Sequence, residues 1–180
     1  MSTIASSQRC NNTGPGSITA DCIIPKPVQE LWKGDAVLTK KLDGSVGITH
    51  VTYNKRHHGE TDFVQVIVKT QGHEQEVFVT ENHVMLVHDE FQTEPRLVQA
   101  RDLAVGDLIR VFGSESLGLV HGLIPIVLDH KNELVTGDGT VSANGIQVST
   151  MCGDYVDVGG AAATLALWQT SHSALPNYVV

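Results

Sequence analysis

The chain carries an internal repeat that constrains its fold more than any other feature. The segment Glu30–Asp35 (Glu-Leu-Trp-Lys-Gly-Asp) returns 72 residues later as Asp102–Asp107 (Asp-Leu-Ala-Val-Gly-Asp), and each copy leads into an apolar run. One Gly-Asp turn before a strand is common turn chemistry, but the whole acid-Leu-x-x-Gly-Asp pattern occurring twice indicates a duplicated unit. Two related halves built mostly of short strands predict a pseudo-twofold, all-β domain whose halves bury one shared core.

Period-two and β-branched runs predict strands joined by tight turns in both halves. Phe63–Val68 is expected to pair with Glu76–Val79, and Asp43-Gly44 and Asn144-Gly145 carry the residue types of hairpin turns. The stretch Gly160–Gln169 is rich in Ala and Leu and is the only run typical of a helix. We therefore predict an all-β fold with a short C-terminal helix.

The stretch Glu76–Val87 holds the clearest candidate for chemistry. Its pattern predicts a strand, a polar turn and a second strand, with Thr80 and His83 at positions i and i+3 of the turn. A hydroxyl and an imidazole can then converge beside buried β-structure, which suits acid–base chemistry on a backbone amide. A turn that Thr80 caps and His83 merely closes explains the same residues without a function.

Composition limits the classes of partner. The 180 residues are enough for one well-cored domain, and we expect a monomer without a cofactor. The formal charge of −8, with no basic cluster longer than two residues, argues against a nucleic-acid partner. No apolar run approaches the roughly 20 residues of a membrane span, and Met1–Gln8 lacks the charged and apolar parts of a signal peptide.

The cysteines and histidines do not form a metal-binding pattern. Cys10, Cys22 and Cys152 leave one thiol unpaired whichever two combine, and no Cys/His spacing is typical of structural zinc. Cys22 lies in a strand-like run and is expected in the core, where a free cysteine behaves as a small hydrophobic residue. His57 and His58 are interpreted as a solvated pair in a loop, so no metal site is expected.

In this order, the motifs resemble those of the Hint superfamily, and specifically the autoprocessing (Hog) domain of Hedgehog-type precursors, which is related to inteins. The matching elements are an early cysteine at Cys10, the Val28–Val37 segment, Thr80-x-x-His83, the Leu103–Val111 segment, and Gly139–Cys152. The resemblance implies a pseudo-twofold horseshoe of short strands. It divides the chain into a flexible leader or upstream remnant (1–9), a Hint domain (10–160), and a short helix with a tail (161–180).

The resemblance also implies that the protein cleaves its own backbone. In the family, a thiol attacks the preceding carbonyl, so Cys10 would convert the Arg9–Cys10 bond into a thioester that a second nucleophile resolves. A planar amide is a poor electrophile, and a catalyst must twist it, hold its oxygen and protonate its nitrogen. His83 would bind and protonate the Cys10 nitrogen, and Thr80 would orient His83 or bind the same amide. The substrate would be the chain's own upstream polypeptide, and the acceptor water, a small thiol or amine, or a lipid alcohol.

The sequence departs from the Hedgehog pattern at two places. Arg9 stands where those precursors have Gly, and the region Tyr53–His58 has no acid where sterol-transferring members have Asp. His57 or His58 is the candidate base for the second step, because imidazole is the usual base at neutral pH. Cys152 matches a family position near the reactive centre, as either an accessory thiol or a core residue. Only 20 residues follow Gly160, where sterol-transferring members have a further region, so sterol transfer is disfavoured. Splicing is disfavoured because Asn177 lacks a preceding His, which leaves N-terminal cleavage as the favoured reaction.

Two other functions remain open on these residues. Arg9 and the missing acid favour a degenerate Hint module with a structural or interaction role, whereas the joint presence of Cys10, Thr80 and His83 favours an active domain. A cysteine protease acting in trans is a third reading, disfavoured because no signature of those families is present. Secretion or an extracellular location follows from the Hedgehog resemblance only.

Overall fold

The structure is a computed structural model that describes residues 3–7, 23–42, 44–89, 92, 94–112, 117–152 and 160–173, with the backbone alone for 3–7, 23–24 and 168–173. Cys10, Arg9 and Cys22 lie outside these residues. The strands are β1 Thr3–Ser7, β2 Ile23–Pro27, β3 Ala36–Lys40, β4 Val46–Thr70, β5 His73–Thr80, β6 Val84–His88, β7 Arg96–Gln99, β8 Leu108–Arg110, β9 Leu117–Thr136, β10 Thr140–Ala143 and β11 Ile146–Ser149. One helix, α1 Ala161–Ser173, follows them. The predicted all-β fold with a C-terminal helix is confirmed.

The strands form one extended sheet in the order β11-β10-β1-β3-β4-β9-β8-β6-β7, with β2 on β1 and β5 on β4. Strand β1 lies inside the segment expected as a leader, and it pairs with β2 along its whole length. It also pairs with β3 and β10. Because it pairs with three other strands, β1 is an integral part of the sheet.

The first copy of the repeat forms a short 3-10 turn, a tight turn and a strand. The 3-10 turn spans Val28–Glu30, and Gly34 follows with a φ of +95°, a conformation that glycine adopts most easily. The Gly34 amide donates to the Val51 carbonyl (2.8 Å), and the Val51 amide donates to the Asp35 carbonyl (2.9 Å). The Asp35 carboxylate accepts the Trp32 amide hydrogen at 3.0 Å and so closes the turn.

The second copy reproduces these contacts one by one. The 3-10 turn spans Ala100–Asp102, and Gly106 has a φ of +104°. The Gly106 amide donates to the Val120 carbonyl (2.9 Å), and the Val120 amide donates to the Asp107 carbonyl (2.8 Å). The Asp107 carboxylate accepts the Ala104 amide hydrogen at 2.9 Å. The duplication inferred from sequence is therefore a structural duplication as well.

The two halves are joined where their equivalent strands β3 and β8 end. The ammonium of Lys40 donates to the Val111 carbonyl at 3.2 Å. In return, the guanidinium of Arg110 donates to the carbonyls of Leu42 (2.7 Å) and Lys41 (3.2 Å). Each half thus supplies a cation that satisfies backbone acceptors of the other half at the point where its strand stops.

Strands β4 and β9 are the largest departure from the expected short strands. They have 25 and 20 residues and pair antiparallel from Val51↔Thr136 to Lys69↔Leu119, with three register shifts. The expected strand Phe63–Val68 is therefore only part of the much longer strand β4. His57 and His58 lie inside β4, so their assignment to a loop was wrong; polar residues on an exposed strand have the composition of a loop.

Two apolar clusters stabilise the sheet. The larger one joins both halves and includes the fully buried side chains Val37, Val66, Ile109 and Ile146. The smaller one contains Val84, Leu86, Met151 and Leu165, so α1 covers strand β6 through Leu165. Among the described residues, no helix combines the length and apolar character needed to cross a membrane.

The predicted turns are confirmed where the structure describes them. Strands β4 and β5 pair across Gly72, which has a φ of +88°. Strands β10 and β11 pair across Asn144 and Gly145, both with positive φ, as expected for an Asn-Gly hairpin turn. The turn after Thr80 differs from a hairpin, because β5 pairs with β4 whereas β6 pairs with β7 and β8.

Candidate functional site

A cleft of about 540 Å³ opens between β5, β9 and the β10–β11 hairpin. Apolar side chains form much of its wall, among them Phe63, Phe78, Ile126 and Leu128. Polar side chains also line it: Thr80 and Ser149 at the ends of β5 and β11, His83 and Cys152 just after these strands, and His57 and Glu133 from the β4–β9 ribbon. The cleft therefore combines an apolar wall with a cluster of groups able to transfer protons.

Backbone hydrogen bonds fix the turn that carries Thr80 and His83. The His83 amide donates to the Thr80 carbonyl at 2.8 Å, and the His83 carbonyl accepts from the Ala100 amide at 2.8 Å. His83 also forms an antiparallel bridge with Cys152, and the next amide, that of Val84, donates to the Met151 carbonyl at 3.0 Å. The imidazole is therefore attached to backbone that is held by partners on both sides.

The imidazole of His83 has a defined tautomer. Its Nε2 lies 3.0 Å from the Ser149 carbonyl oxygen, and because a carbonyl only accepts, Nε2 carries the hydrogen and Nδ1 carries the lone pair. The Ser149 hydroxyl donates to the Val84 carbonyl at 2.5 Å and accepts from the Met151 amide at 3.1 Å, which holds this carbonyl in place. Burial lowers the pKa of His83 to about 4, against the opposing effect of its bond to Ser149. At neutral pH the ring is uncharged.

Cys152 lies beside His83 on the neighbouring segment. Residues opposite one another in an antiparallel bridge have Cβ atoms about 4.5–5.5 Å apart and project to the same face. Burial raises the pKa of the Cys152 thiol, the Glu133 carboxylate raises it further, and Lys131 opposes this. The thiol is protonated at neutral pH, so its surroundings do not activate it as a nucleophile.

A second imidazole reaches the cleft from the β4–β9 ribbon. The Nε2 atom of His57 lies 3.0 Å from a carboxylate oxygen of Glu133 on the adjacent strand. Each side chain is about one-third exposed, at 35% and 29%. Both contribute to the cleft lining, whereas His58 is exposed and is not among the lining residues.

Four of the side chains singled out in the sequence line this one cleft: Thr80, His83, His57 and Cys152. The structure separates His58 from them. No group of three or more His, Cys, Asp or Glu side chains that could hold a metal ion occurs within the described ranges.

The sequence did not predict the contacts that Glu133 and Asn54 make at or beside the cleft. Glu133 becomes a partner of His57 only through the register of β4 with β9. Asn54 donates through its amide nitrogen to the carbonyls of Val28 (2.8 Å) and Leu31 (2.9 Å). Asn54 does not line the cleft itself, but it fixes the backbone of Val28, which does. Neither residue belongs to a recognisable local motif.

Comparison with solved structures identifies the fold. The chain is similar to a bacterial intein-like domain from Clostridium thermocellum, at 15% sequence identity and a TM-score of 0.59, over 82% of this chain and 94% of that one. It is similar to a DnaB intein from Synechocystis at 14% identity and a TM-score of 0.62, over 82% and 93% of the two chains. A mutant of the Ssp DnaB mini-intein variant M86 gives 15% identity and a TM-score of 0.63, over 88% and 93%. No protein-family model matches the chain, and no curated protein matches it. The chain has the intein, or Hint, fold.

Proposed function

We propose that this domain of intein fold is an autoprocessing domain that cleaves its own chain at the Arg9–Cys10 bond. The observation that supports this most directly is that Thr80, His83 and Cys152 line one cleft, in which the neutral imidazole of His83 carries its lone pair on Nδ1. Acid–base chemistry on an amide requires such a ring, able to accept one proton and return it to another atom.

In the proposed first step, the thiol proton of Cys10 passes to Nδ1 of His83 and the sulfur attacks the carbonyl carbon of Arg9. The carbon–nitrogen bond then breaks as the Cys10 nitrogen takes the proton back from the imidazolium. Because burial lowers the pKa of His83 to about 4, the imidazolium is more acidic than that of an exposed histidine and returns the proton more readily. The hydrogen bond from Nε2 to the Ser149 carbonyl supports the transient positive charge. The products are a thioester and a free α-amine.

In the second step, an acceptor nucleophile replaces the thiol and frees the upstream segment. Water is the simplest acceptor, and small thiols or amines react with thioesters in the same way. A lipid alcohol is compatible with the apolar wall that includes Phe63, Phe78 and Ile126. The domain acts once on its own polypeptide, so it is a single-turnover, cysteine-dependent enzyme.

A structural Hint module is the second candidate, and strand β1 favours it. The strand precedes Cys10 in the chain and pairs with β2, β3 and β10. A cut at Arg9–Cys10 separates this strand covalently from the rest of its sheet. A domain kept for structure alone would leave the bond intact.

The deciding experiment uses the full chain fused behind a reporter protein. Dithiothreitol attacks thioesters, so it is expected to release the reporter from the unsubstituted chain and from Cys22→Ala, the matched cysteine control. Cys10→Ala is expected to release none, and His83→Ala to lower the rate by about 100-fold, the usual contribution of a general acid–base group.

Intact mass of the released piece identifies the cleaved bond and any acceptor attached to it. A piece ending at Arg9 supports the proposal. A piece ending at another residue overturns the assignment of Cys10, and a folded chain that releases nothing with dithiothreitol overturns the enzymatic function in favour of the structural module.

A further inference from the structure

We propose that His57 and Glu133 form the acid–base pair of the second step, in which the thioester is resolved. This inference rests on the proposed function, and it assigns to Glu133 a role that no motif in the sequence suggested. The two residues line the same cleft as His83 and Cys152. They lie on different strands from the turn that carries His83, so the two steps would use separate imidazoles.

The register of the ribbon fixes this pair. His57 is opposite Lys131, and Glu133 is opposite Lys55, so His57 and Glu133 are diagonal neighbours across β4 and β9. Diagonal positions on one face are close enough for long side chains to meet, and here Nε2 and the carboxylate oxygen are 3.0 Å apart. A register shift between His58 and Thr61 separates this part of the ribbon from the apolar wall that begins at Phe63.

The hydrogen bond sets which nitrogen of His57 is available. A carboxylate only accepts, so Nε2 of the neutral ring carries the hydrogen and Nδ1 carries the lone pair. Glu133 also stabilises the imidazolium that forms when Nδ1 takes up a proton, as a carboxylate does for any histidine acting as a base.

The proposed step balances with water as the nucleophile. The oxygen of water attacks the thioester carbonyl carbon while one of its protons passes to Nδ1 of His57. The carbon–sulfur bond then breaks, and the departing sulfur takes that proton from the imidazolium. The products are the carboxylic acid of the upstream segment and the Cys10 thiol, with His57 neutral again.

The Glu133 carboxylate also acts on other groups of the cleft. Burial raises the pKa of the Cys152 thiol and of Tyr53, and Glu133 raises both further, whereas Lys131 acts on Cys152 in the opposite direction. An ion pair this exposed contributes little to folding stability. Substitution of Glu133 should therefore leave the fold intact, which makes its chemical role testable.

The test separates the two steps in the reporter fusion. Release in dithiothreitol reports thioester formation, because the added thiol replaces the enzyme's second step, and release without thiol reports resolution by water. His57→Gln and Glu133→Gln are expected to slow release without thiol by about 100-fold and to leave dithiothreitol-driven release unchanged. His58→Gln and Glu60→Gln, exposed residues of the same strand, are the matched controls and should behave as the unsubstituted chain.

Rescue by a conservative variant distinguishes a chemical role from a structural one. Glu133→Asp keeps the carboxylate, so it is expected to retain part of the release without thiol that Glu133→Gln loses. Both variants should keep dithiothreitol-driven release. Unchanged release without thiol in His57→Gln and Glu133→Gln overturns this inference while leaving the proposed function intact. No dithiothreitol-driven release from the unsubstituted chain overturns both.

Discussion

Acidification should destabilise this fold through His88, a histidine outside the cleft. The side chain lies in β6 with 6% exposure, and its Nε2 atom has no hydrogen-bond partner among the described residues. Burial lowers its pKa to about 4, the positive charges of Arg110 and Lys40 act in the same direction, and the nearby Gln147 side chain opposes them. The cations that join the two halves of the domain therefore also keep His88 neutral.

The sign of the effect follows from the two pKa values. Above the unfolded value of 6.5 the ring is neutral in both states, and stability does not depend on it. As the pH falls from 6.5 towards 4, the unfolded chain binds the proton and the folded one does not, so the free energy of unfolding decreases. A difference of about 2.5 pKa units corresponds to about 3 kcal/mol at most. After allowance for solvent screening, we expect about 2 kcal/mol at pH 4.5.

Urea unfolding followed by circular dichroism, at pH 7.5 and at pH 4.5, measures this contribution. Carboxylates and His83 also titrate over this range, but they are common to every variant. The loss between the two pH values should be about 2 kcal/mol smaller in His88→Gln than in the unsubstituted chain. His121→Gln, an exposed histidine in β9, should lose as much as the unsubstituted chain. An equal loss in His88→Gln would refute the reasoning.

Two further predictions concern the repeat and the core. Asp35→Ala and Asp107→Ala each remove the hydrogen bond to the amide three residues earlier, and each should lower the free energy of unfolding by about 1 kcal/mol. Asp102→Ala, a substitution of an exposed neighbour, is the control. A loss of stability at only one of the two sites would contradict the equivalence of the halves. Val66→Ala creates a cavity at a side chain with 0% exposure and should lower the free energy of unfolding in urea by about 2 kcal/mol. Ile124→Ala is the control, because this side chain on the paired strand is 47% exposed, and it should change the free energy of unfolding by less than about 0.5 kcal/mol.

The features predicted well from sequence are those encoded within a few residues. The two Gly-Asp turns, the Asn144-Gly145 hairpin and the turn between Thr80 and His83 all appear in the structure. In each case the conformation depends on local chemistry, such as a positive φ or a carboxylate that reaches an amide three residues away.

The features that sequence did not reveal depend on long-range register. The polar and charged composition of positions 129–133 in β9 is typical of a loop, and the pairing of β9 with β4 places these residues in the sheet. The same pairing brings Glu133 to His57 across 76 residues of chain. No local pattern specifies which residues meet across three register shifts, so the sequence suggested His57 but could not predict its partner Glu133.

Strand β1 gives the proposed cleavage an unusual outcome. The bond between Arg9 and Cys10 lies in the chain segment that links Ser7 of β1 to Ile23 of β2, two residues that face each other in the sheet. Cutting this segment breaks one covalent bond but none of the backbone hydrogen bonds between the paired strands. The nicked protein would then be a complex of two fragments, and the N-terminal one dissociates only when β1 separates from its partner strands. A synthetic peptide with the sequence of β1 can compete for the same position in the sheet. Cleavage followed under denaturing conditions would report the chemistry, whereas dissociation of the native fragments would be a separate step of fragment complementation.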